Sequence, residues 1–432
     1  MGDRVPTGRK WWTDAAGGLP ATYWYLWTGL LINRVGGFAV LFLSLYLTAQ
    51  RGASPALAGL IVGGYGIGGV AGTLLGGVLT DRWGRRSTLL AAHFATAALL
   101  VALGVSTDLR LVAGLGLLLG LAQSMPGPAF VAAIIDVVPA ERRSRAFNLQ
   151  FWAFNLGLAG ASLLAGLLAE WSYLGLFLID AAATVLTGVL IAWKVPETLS
   201  RRPPVAVAGG GMRTVLADRI FLVFVGLTLL QALLYAQTST IVPLAMSADG
   251  LSPSGYGLVT ALGGTLIVLG QLFVPRLIDR HRKDRVLATA VAVMAVGFAT
   301  LAFADRLGGY LVAAAVWTVG SMLAAPPNAE INAELAPVEL RGRYQAVFFL
   351  TFPAAAFLAP ALGGVSLQAF GPAHWLIVAA VGVVAALLHL AAGPSRERRV
   401  KAGKLKAAEL KAAKPDAVGA DGAGGGGRHP SP

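Results

Sequence analysis

The chain has no cysteine in its 432 residues, which excludes a disulfide framework and a thiolate metal site. Its five histidines are scattered without metal-ligand spacing, so no metal is expected, and no motif calls for a cofactor. Charge is scarce as well, 13% of residues against about 25% in a soluble globule. No Walker-type G-x-x-x-x-G-K-[ST] is present, which argues against an ATP-driven pump on this chain. Residues 1–20 carry Arg4, Arg9 and Lys10 but lack an apolar core followed by a small-residue cleavage site. The first apolar run is therefore expected to stay as a membrane helix rather than leave as a signal peptide.

What the chain has instead is apolar length. It is 56% hydrophobic, with a mean hydropathy of +0.70, and a spanning helix needs roughly 20 mostly apolar residues. Twelve segments qualify, at about 22–50, 55–80, 87–106, 109–138, 145–169, 172–194, 219–247, 253–278, 286–304, 307–337, 343–369 and 372–393. They are long and lack strand-like alternation, which predicts helices rather than a barrel. The fold class is therefore an all-α membrane protein with twelve transmembrane helices. The predicted organisation is an N-terminal segment (1–21), a six-helix bundle (22–194), a linker (195–218), a second six-helix bundle (219–393) and a basic, then Gly-rich tail (394–432). The tail is expected to begin with a short helix and to be largely disordered beyond it.

The net charge of +13 raises nucleic acid as a partner, but the placement of the charges answers it. If the N-terminus is cytoplasmic, 29 of the 34 lysines and arginines fall in cytoplasmic segments. Outer loops hold only Arg51, Arg110 and Arg306, and Arg34 and Arg276 fall within helices. This is the positive-inside pattern. Both termini are predicted to be cytoplasmic, with anionic lipid head groups as the basic partner and no nucleic acid.

The second half repeats the first at a constant offset of 198 residues. Ser54-Pro55 recurs as Ser252-Pro253, Gly59 as Gly257, Gly72 as Gly270 and Asp81-Arg82 as Asp279-Arg280. Pro128, Asp136, Pro139, Glu141, Arg143 and Arg145 recur as Pro326, Glu334, Pro337, Glu339, Arg341 and Arg343. Six helices per repeat is an even number, so the halves share orientation and are related by an axis along the membrane normal. Such halves can rock about a site between them.

Between the second and third helices stands Gly77-x-Leu79-x-Asp81-Arg82-x-Gly84-Arg85-Arg86-x-x-Leu89. It resembles, at every defining position, the loop motif of the major facilitator superfamily. Asp279-Arg280 with Lys283 resembles the weaker second copy. Phe151-Trp152-Ala153-Phe154-Asn155-Leu156-Gly157 and Asn33-Arg34-Val35-Gly36 are similar to a bacterial branch of drug:proton antiporters. The fifth helix departs from that branch: Ala161, Ser162 and Ala165 stand where its motif has glycine, proline and glycine. The fourth helix carries Gln123 and lacks the arginine common in proton-coupled exporters.

The resemblance implies the major facilitator fold, two pseudo-symmetric six-helix bundles working by alternating access, without enzymatic activity, as a monomer in the bacterial inner membrane. It places the Asp81 loop beside the eleventh helix near Arg341 and Arg343, and Asp279 beside Ser144 and Arg145. Asp81, Arg82, Gly84, Arg85, Arg86, Asp279, Arg280, Arg145, Arg341 and Arg343 are thus gating candidates. For Arg85 and Arg86 a plain positive-inside anchor is the competing reading. Asp81 is read as a latch that holds the cytoplasmic side shut, because topology alone gives no reason for an acid there. Gly64-x-Gly66-x-x-Gly69 formally matches a dinucleotide fingerprint but lies inside an apolar helix with no strand before it. Gly64, Gly68, Gly72 and Gly76 read better as a small-residue ladder, expected to face the eleventh helix across the domain interface.

A charge at mid-bilayer costs about 2.5–3.5 kcal/mol on insertion scales, so charged residues inside spans are functional suspects. Arg34, Asp180, Glu330, Asp136 and Glu334 are the candidates for proton coupling. Arg34 and Asp180 could instead form a structural pair, and Asp136 and Glu334 could be interfacial caps. Glu330, whose repeat mate is Ala132, is the preferred proton carrier, expected in a low-dielectric setting; pairing with a gate arginine is the alternative. The pore-lining helices of the family would contribute Asn33, Phe38, Gln123, Met125, Gln231, Tyr235, Gln237, Thr238, Trp317 and Asn328 to a weakly polar, aromatic substrate pocket. Trp24, Trp27, Trp171, Trp193 and Trp375 fall near helix ends and read as interfacial anchors. The expected function is proton-coupled efflux of a drug-like or secondary-metabolite solute, with proton-coupled uptake as the alternative. A non-transporting sensor or scaffold would need a soluble output domain, for which linker and tail are too short.

Overall fold

The computed structural model describes residues 17–199, 212–270, 273–278, 281–337 and 340–412. Among the described residues, twelve helices are long and apolar enough to cross a membrane. We number them α1 (Ala21–Gln50), α2 (Pro55–Arg82), α3 (Arg85–Val105), α4 (Leu109–Val137), α5 (Arg145–Trp171), α6 (Tyr173–Lys194), α7 (Arg219–Ser239), α8 (Pro253–Gly270), α9 (Lys283–Phe303), α10 (Leu307–Leu335), α11 (Arg343–Phe370) and α12 (Ala373–Ala402). No strand occurs among the described residues. The side of the bundle where α1 starts is called here the terminus side, and the opposite one the far side.

Short polar side chains start several of these helices by satisfying orphan backbone donors. Ser54 accepts from Leu57 N–H ahead of Pro55 at the first turn of α2. Asp108 caps α4, Ser172 caps α6 and Asp218 caps α7 in the same way. Gly84 starts α3 at φ +105°, and a Cβ there would also collide with the Glu197 carboxylate. Glu197, just beyond α6, accepts from Arg85 and Arg86 N–H at 2.8 and 3.2 Å. It places an anion at the positive end of the α3 dipole. Gly84→Ala should therefore cost about 1–3 kcal/mol from strained backbone alone, read as a lower unfolding temperature in detergent, whereas Gly77→Ala, which meets nothing within 4 Å, should be neutral.

Two spans differ from the apolar runs of the sequence. The predicted seventh segment breaks at Thr240 (φ −132°), and a separate helix, Ile241–Ala248, follows. The eighth is described as helix over Pro253–Gly270 and over Val274–Ile278. The twelfth does not end at Gly393: one helix runs Ala373–Ala412 with Pro394 inside it. Its extension is held by charge. Arg282 bridges Asp284 and Glu397, each at 3.0 Å, Arg399 pairs with Asp218, and buried Arg396 donates to the His389 carbonyl at 2.6 Å. The residues after 412, expected to be disordered, lie outside the described set.

Burial of Asp218 would raise its pKa, but hydrogen bonds from Arg399, Tyr344 and Phe221 N–H outweigh it and hold the carboxyl below the ordinary aspartate range. A depressed carboxyl stabilises the fold above its unfolded pKa and loses that contribution as pH falls through the folded one. The extension should stay docked at neutral pH and loosen only below about pH 4. Hydrogen exchange at 396–402 would register this, and Arg399→Met should bring the loosening to neutral pH.

Within the first half, α1 packs on α5 and α6, α2 on α4, and α3 on α6. Within the second, α7 packs on α11 and α12, α8 on α10, and α9 on α10 and α12. The halves meet chiefly along α2–α11 and α5–α8. Trp375, expected as an interfacial anchor, is only 1% exposed and stacks on Phe298 in the core. Trp171 and Trp193, at 89% and 77% exposed, are free to meet the membrane interface.

Candidate translocation site and gates

On the far side the halves close on backbone contacts between small residues. A Cβ at Gly59 would collide with the Pro360 carbonyl, and Gly63 and Gly66 lie against Phe357 and Ala356 of α11. Gly257 of α8 lies against Ser162 and Gly166 of α5, and Phe42 of α1 meets Tyr256 of α8 edge-on at 5.3 Å. The predicted ladder therefore needs correction. Gly68, Gly72 and Gly76 pack on Leu117, Leu121 and Met125 of α4 inside their own half, and Gly64 meets nothing. The face toward α11 is 59, 63 and 66 instead. An all-apolar helix carries no polar stripe to show which glycine row faces which neighbour.

Two hydrogen-bonded clasps cross this closed side. Ala56 N–H, in the first turn of α2, donates to Gln368 Oε1 at the end of α11, 3.2 Å away. Glu170, at the end of α5, accepts from Ser252 and Ser254 at the start of α8. Gln368 is Glu170 shifted by 198, and Ser254 is Ala56 shifted by 198, so one device is built twice.

On the terminus side the named ion pairs stay within one half. Arg85 binds Asp136 of α4 at 2.9 Å and the Thr80 carbonyl at 3.1 Å, and Arg86 caps α6 through the Ala192 carbonyl at 2.6 Å. Lys283, the repeat mate of Arg85, binds Glu334, the mate of Asp136, at 3.1 Å. The interfacial-cap reading of Asp136 and Glu334 thus gains specific partners. Asp81 is 81% exposed, with Arg85 of its own loop 3.9 Å away, and Arg82 is exposed too. Arg145 donates to the Gly17 carbonyl at 3.2 Å. Asp279, Arg280 and the side chains of Ser144 and Arg341 lie outside the described residues; Arg343 is half-buried.

Glu330 corrects its expected setting. Its side chain is 54% exposed rather than sequestered, and its partner is Lys283 at 2.8 Å rather than a gate arginine. The lysine starts α9, the helix packed beside α10, so one ammonium serves both acids of α10. Proximity in sequence gave no hint of it, and the 198 offset from Arg85 relates Lys283 to Glu334 alone, because Ala132 stands at the Glu330 position of the first half.

Asp180 also corrects. It is 1% exposed, and its Oδ2 accepts from Ala39 N–H at 3.1 Å. Helix α1 breaks at Gly36-Gly37, and Asp180 caps the segment that resumes at Ala39. Thr184, one turn on, accepts from Asn33 at 3.1 Å. Arg34 is not joined to Asp180 by an ion pair among the described residues; its guanidinium lies over the Phe154 ring at 4.4 Å and remains accessible.

The proposed substrate residues divide. Gln123 is held by Tyr65 at 2.7 Å, and Asn328 donates to Gln231 at 2.8 Å across α10 and α7. Tyr235 is 42% exposed, and Thr238 donates to its carbonyl at 2.7 Å. These, with Asn33 and Arg34, lie on α1, α4, α7 and α10. Asn328 itself is only 7% exposed, and four others do not reach such a surface either. Phe38 (2% exposed) is in the core at the α1 break, and Met125 (7%) is packed behind Gly76. Trp317 (4%) stacks on Phe298 of α9 at 5.3 Å, and Gln237 (7%) faces α11. Side-chain direction, not residue type, removes them.

The sequence matches the Major Facilitator Superfamily over residues 26–249 and 224–420, and the chain belongs to that family of membrane transporters. It is 28% identical over 346 residues to the uncharacterized MFS-type transporter YhjO of Bacillus subtilis, covering 79% of this chain and 85% of that one. It is 26% identical over 355 residues to the Na(+), Li(+), K(+)/H(+) antiporter of Planococcus maritimus, covering 74% and 83%. It is 23% identical over 332 residues to the multidrug resistance protein MdtH of Salmonella paratyphi B, covering 74% and 80%. Among solved structures, the nucleoside transporter NupG superposes with a TM-score of 0.73 at 16% identity, over 86% of this chain and 99% of that one. The D-xylose-proton symporter gives 0.67 at 17% identity, over 85% and 96%. Both likenesses concern the fold.

Proposed function

We propose that the chain is a proton-coupled exporter of drug-like or secondary-metabolite molecules, working by alternating access in the bacterial inner membrane with both termini cytoplasmic. The observation that carries this reading is Glu330. It is an accessible acid on α10, absent from the repeat at Ala132, with a lysine partner it can exchange for a proton. Relatives named as a cation/proton antiporter and a multidrug resistance protein support the class. The orientation rests on the basic surplus at the terminus side. In that orientation the closed far side and the exposed Asp81 describe an inward-open state. Arg34, Asn33, Gln123, Gln231, Tyr235 and Thr238 would form the substrate surface, with Asn328 fixing Gln231 from behind it. Uptake is the second reading, favoured by α5, where Ser162 and Gly166 seat Gly257 of α8 and the proline of the antiporter motif is missing.

Proteoliposomes with an imposed pH gradient and a mixed panel of amphipathic solutes decide between them. Export predicts solute moving against the proton flow, and uptake predicts both moving together. Glu330→Gln should remove gradient dependence while leaving solute binding measurable; pH-driven transport by the variant would place the carrier elsewhere. For the latch, Asp81→Asn should increase cross-linking-silent separation of cysteines at the terminus-side ends of α2 and α11. An unchanged cross-linking pattern would remove the latch.

A further inference from the structure

Arg34 stands near the middle of α1, in the last turn of its first segment, Ala21–Val35. Its stem lies against the bare backbone of Gly157 of α5. Its guanidinium lies over the ring of Phe154, which is 41% exposed. Tyr65 of α2, His93 of α3 and Asp180 of α6 are its electrostatic neighbours. Helices of the first half therefore surround it on several sides, yet it is exposed. A side chain so enclosed and still open faces an internal space rather than lipid.

Among the described residues no carboxylate pairs with this guanidinium, and no acceptor takes a hydrogen bond from its five N–H donors. Asp180 is engaged elsewhere: its oxygens accept from Ala39 N–H at 3.1 Å and from Thr184 at 3.5 Å. At 1% exposure it is also out of a solute's reach. The negative end of the Ala21–Val35 segment and the face of Phe154 offset part of the charge. They leave its N–H donors to whatever enters the space. The other residues of the proposed substrate surface, Asn33, Gln123, Gln231, Tyr235 and Thr238, are neutral. Glu330, the accessible acid of α10, has Lys283 as its counter-ion. The charge that a solute meets on this surface is therefore positive.

We propose that the cargo is an organic anion, a carboxylate on an apolar body, with its head group held by Arg34 and its body laid against Phe154. This rests on reading the surface around Arg34 as the substrate surface, and it narrows the drug-like class named above. A planar guanidinium meets a carboxylate with two parallel N–H···O bonds, a match that a neutral amide makes only in part. An ammonium head group is repelled, so lipophilic cations are poor cargo. The anion also bears on alternating access. Closing the terminus side over a bare guanidinium would bury a lone charge, which is costly. With cargo bound, the halves close over a hydrogen-bonded pair. Cargo thus removes an electrostatic obstacle to occlusion, whichever direction transport runs.

The test uses three compounds with one body: biphenyl-4-carboxylate, biphenyl-4-carboxamide and biphenyl-4-ylmethylammonium. Their binding to the full chain in phosphatidylcholine nanodiscs is measured at neutral pH by equilibrium dialysis, with empty nanodiscs subtracted. The carboxylate is expected to bind about 10–100-fold tighter than the amide, the range for hydrogen bonds to charged groups, and the ammonium should bind weakest. Arg34→Met should bring the carboxylate down to the level of the amide. Arg34→Lys, which keeps the charge but not the fork, should recover part of the difference. Equal binding of carboxylate and amide, preference for the ammonium, a ranking that survives Arg34→Met, or no binding of the carboxylate would overturn the proposal. The ranking on the unaltered chain decides even where a variant does not fold. No gradient enters this measurement, so its failure is distinct from a failure of proton-coupled export, which the pH-gradient assay reports.

Discussion

Gly59→Val is expected to drive the far side open while leaving the chain folded in the membrane. The first added carbon meets the Pro360 carbonyl, a backbone atom that cannot swing aside as a side-chain tip can. Overpacking of this kind costs about 1–3 kcal/mol, and that energy falls only on the state in which α2 and α11 touch. The population of the far-side-closed state should fall by about 5–150-fold. Spin labels at Thr107 and Asp305, both exposed on the far side of opposite halves, would report it as a longer distance. The absence of cysteine means both labels go into the chain without background. Gly64→Ala is the control, since a Cβ there meets nothing within 4 Å. An unchanged distance in Gly59→Val would show that the contact does not determine closure.

Arg85→Met should destabilise the first half more than Lys283→Met destabilises the second. Arg85 and Asp136 have side chains only 14% and 20% exposed, and the arginine also holds the Thr80 carbonyl. Removing one partner of a largely buried pair leaves the other charged and unpaired, at about 3–5 kcal/mol in full burial; about 2–4 kcal/mol is expected here. Arg85→Met with Asp136→Leu should recover most of it, because no orphaned charge remains. Lys283 and Glu330 are 37% and 54% exposed, where ion pairs are worth about 1 kcal/mol or less. Thermal unfolding of the single and double variants in detergent would rank them, and equal losses would contradict the burial argument.

The twelve spans were legible because hydropathy over roughly 20 residues is a strong signal and the bilayer leaves few alternatives. The 198 offset contained more than its first matches: it pairs Arg85 with Lys283 and Glu170 with Gln368, which the structure turns into two ion pairs and two clasps. Side-chain direction was not legible. Trp317, Phe38 and Met125 sit on helices that are apolar all round, so nothing in the periodicity marks the face that meets a cavity. The surroundings of Asp180 were not legible for another reason. A carboxylate in a membrane helix suggests a functional charge, and nothing in the sequence shows that it also caps a neighbouring helix where Gly36-Gly37 interrupts it. Glu197 was hidden because its role depends on the approach of a linker to Gly84, which the sequence order separates by more than a hundred residues.

The unbroken helix from Ala373 to Ala412 has 40 residues, about 60 Å at 1.5 Å per residue. The hydrocarbon it crosses is about 30 Å thick. Roughly half of its length thus lies beyond the hydrocarbon, and its end projects as a strut, riveted at its base by Arg282, Arg396 and Arg399. A strut fixed to one half works as a pointer. A tilt of that half too small to see in the core becomes a displacement at the tip, so a fluorophore placed near Lys401 would read the rocking of a single molecule from outside the membrane.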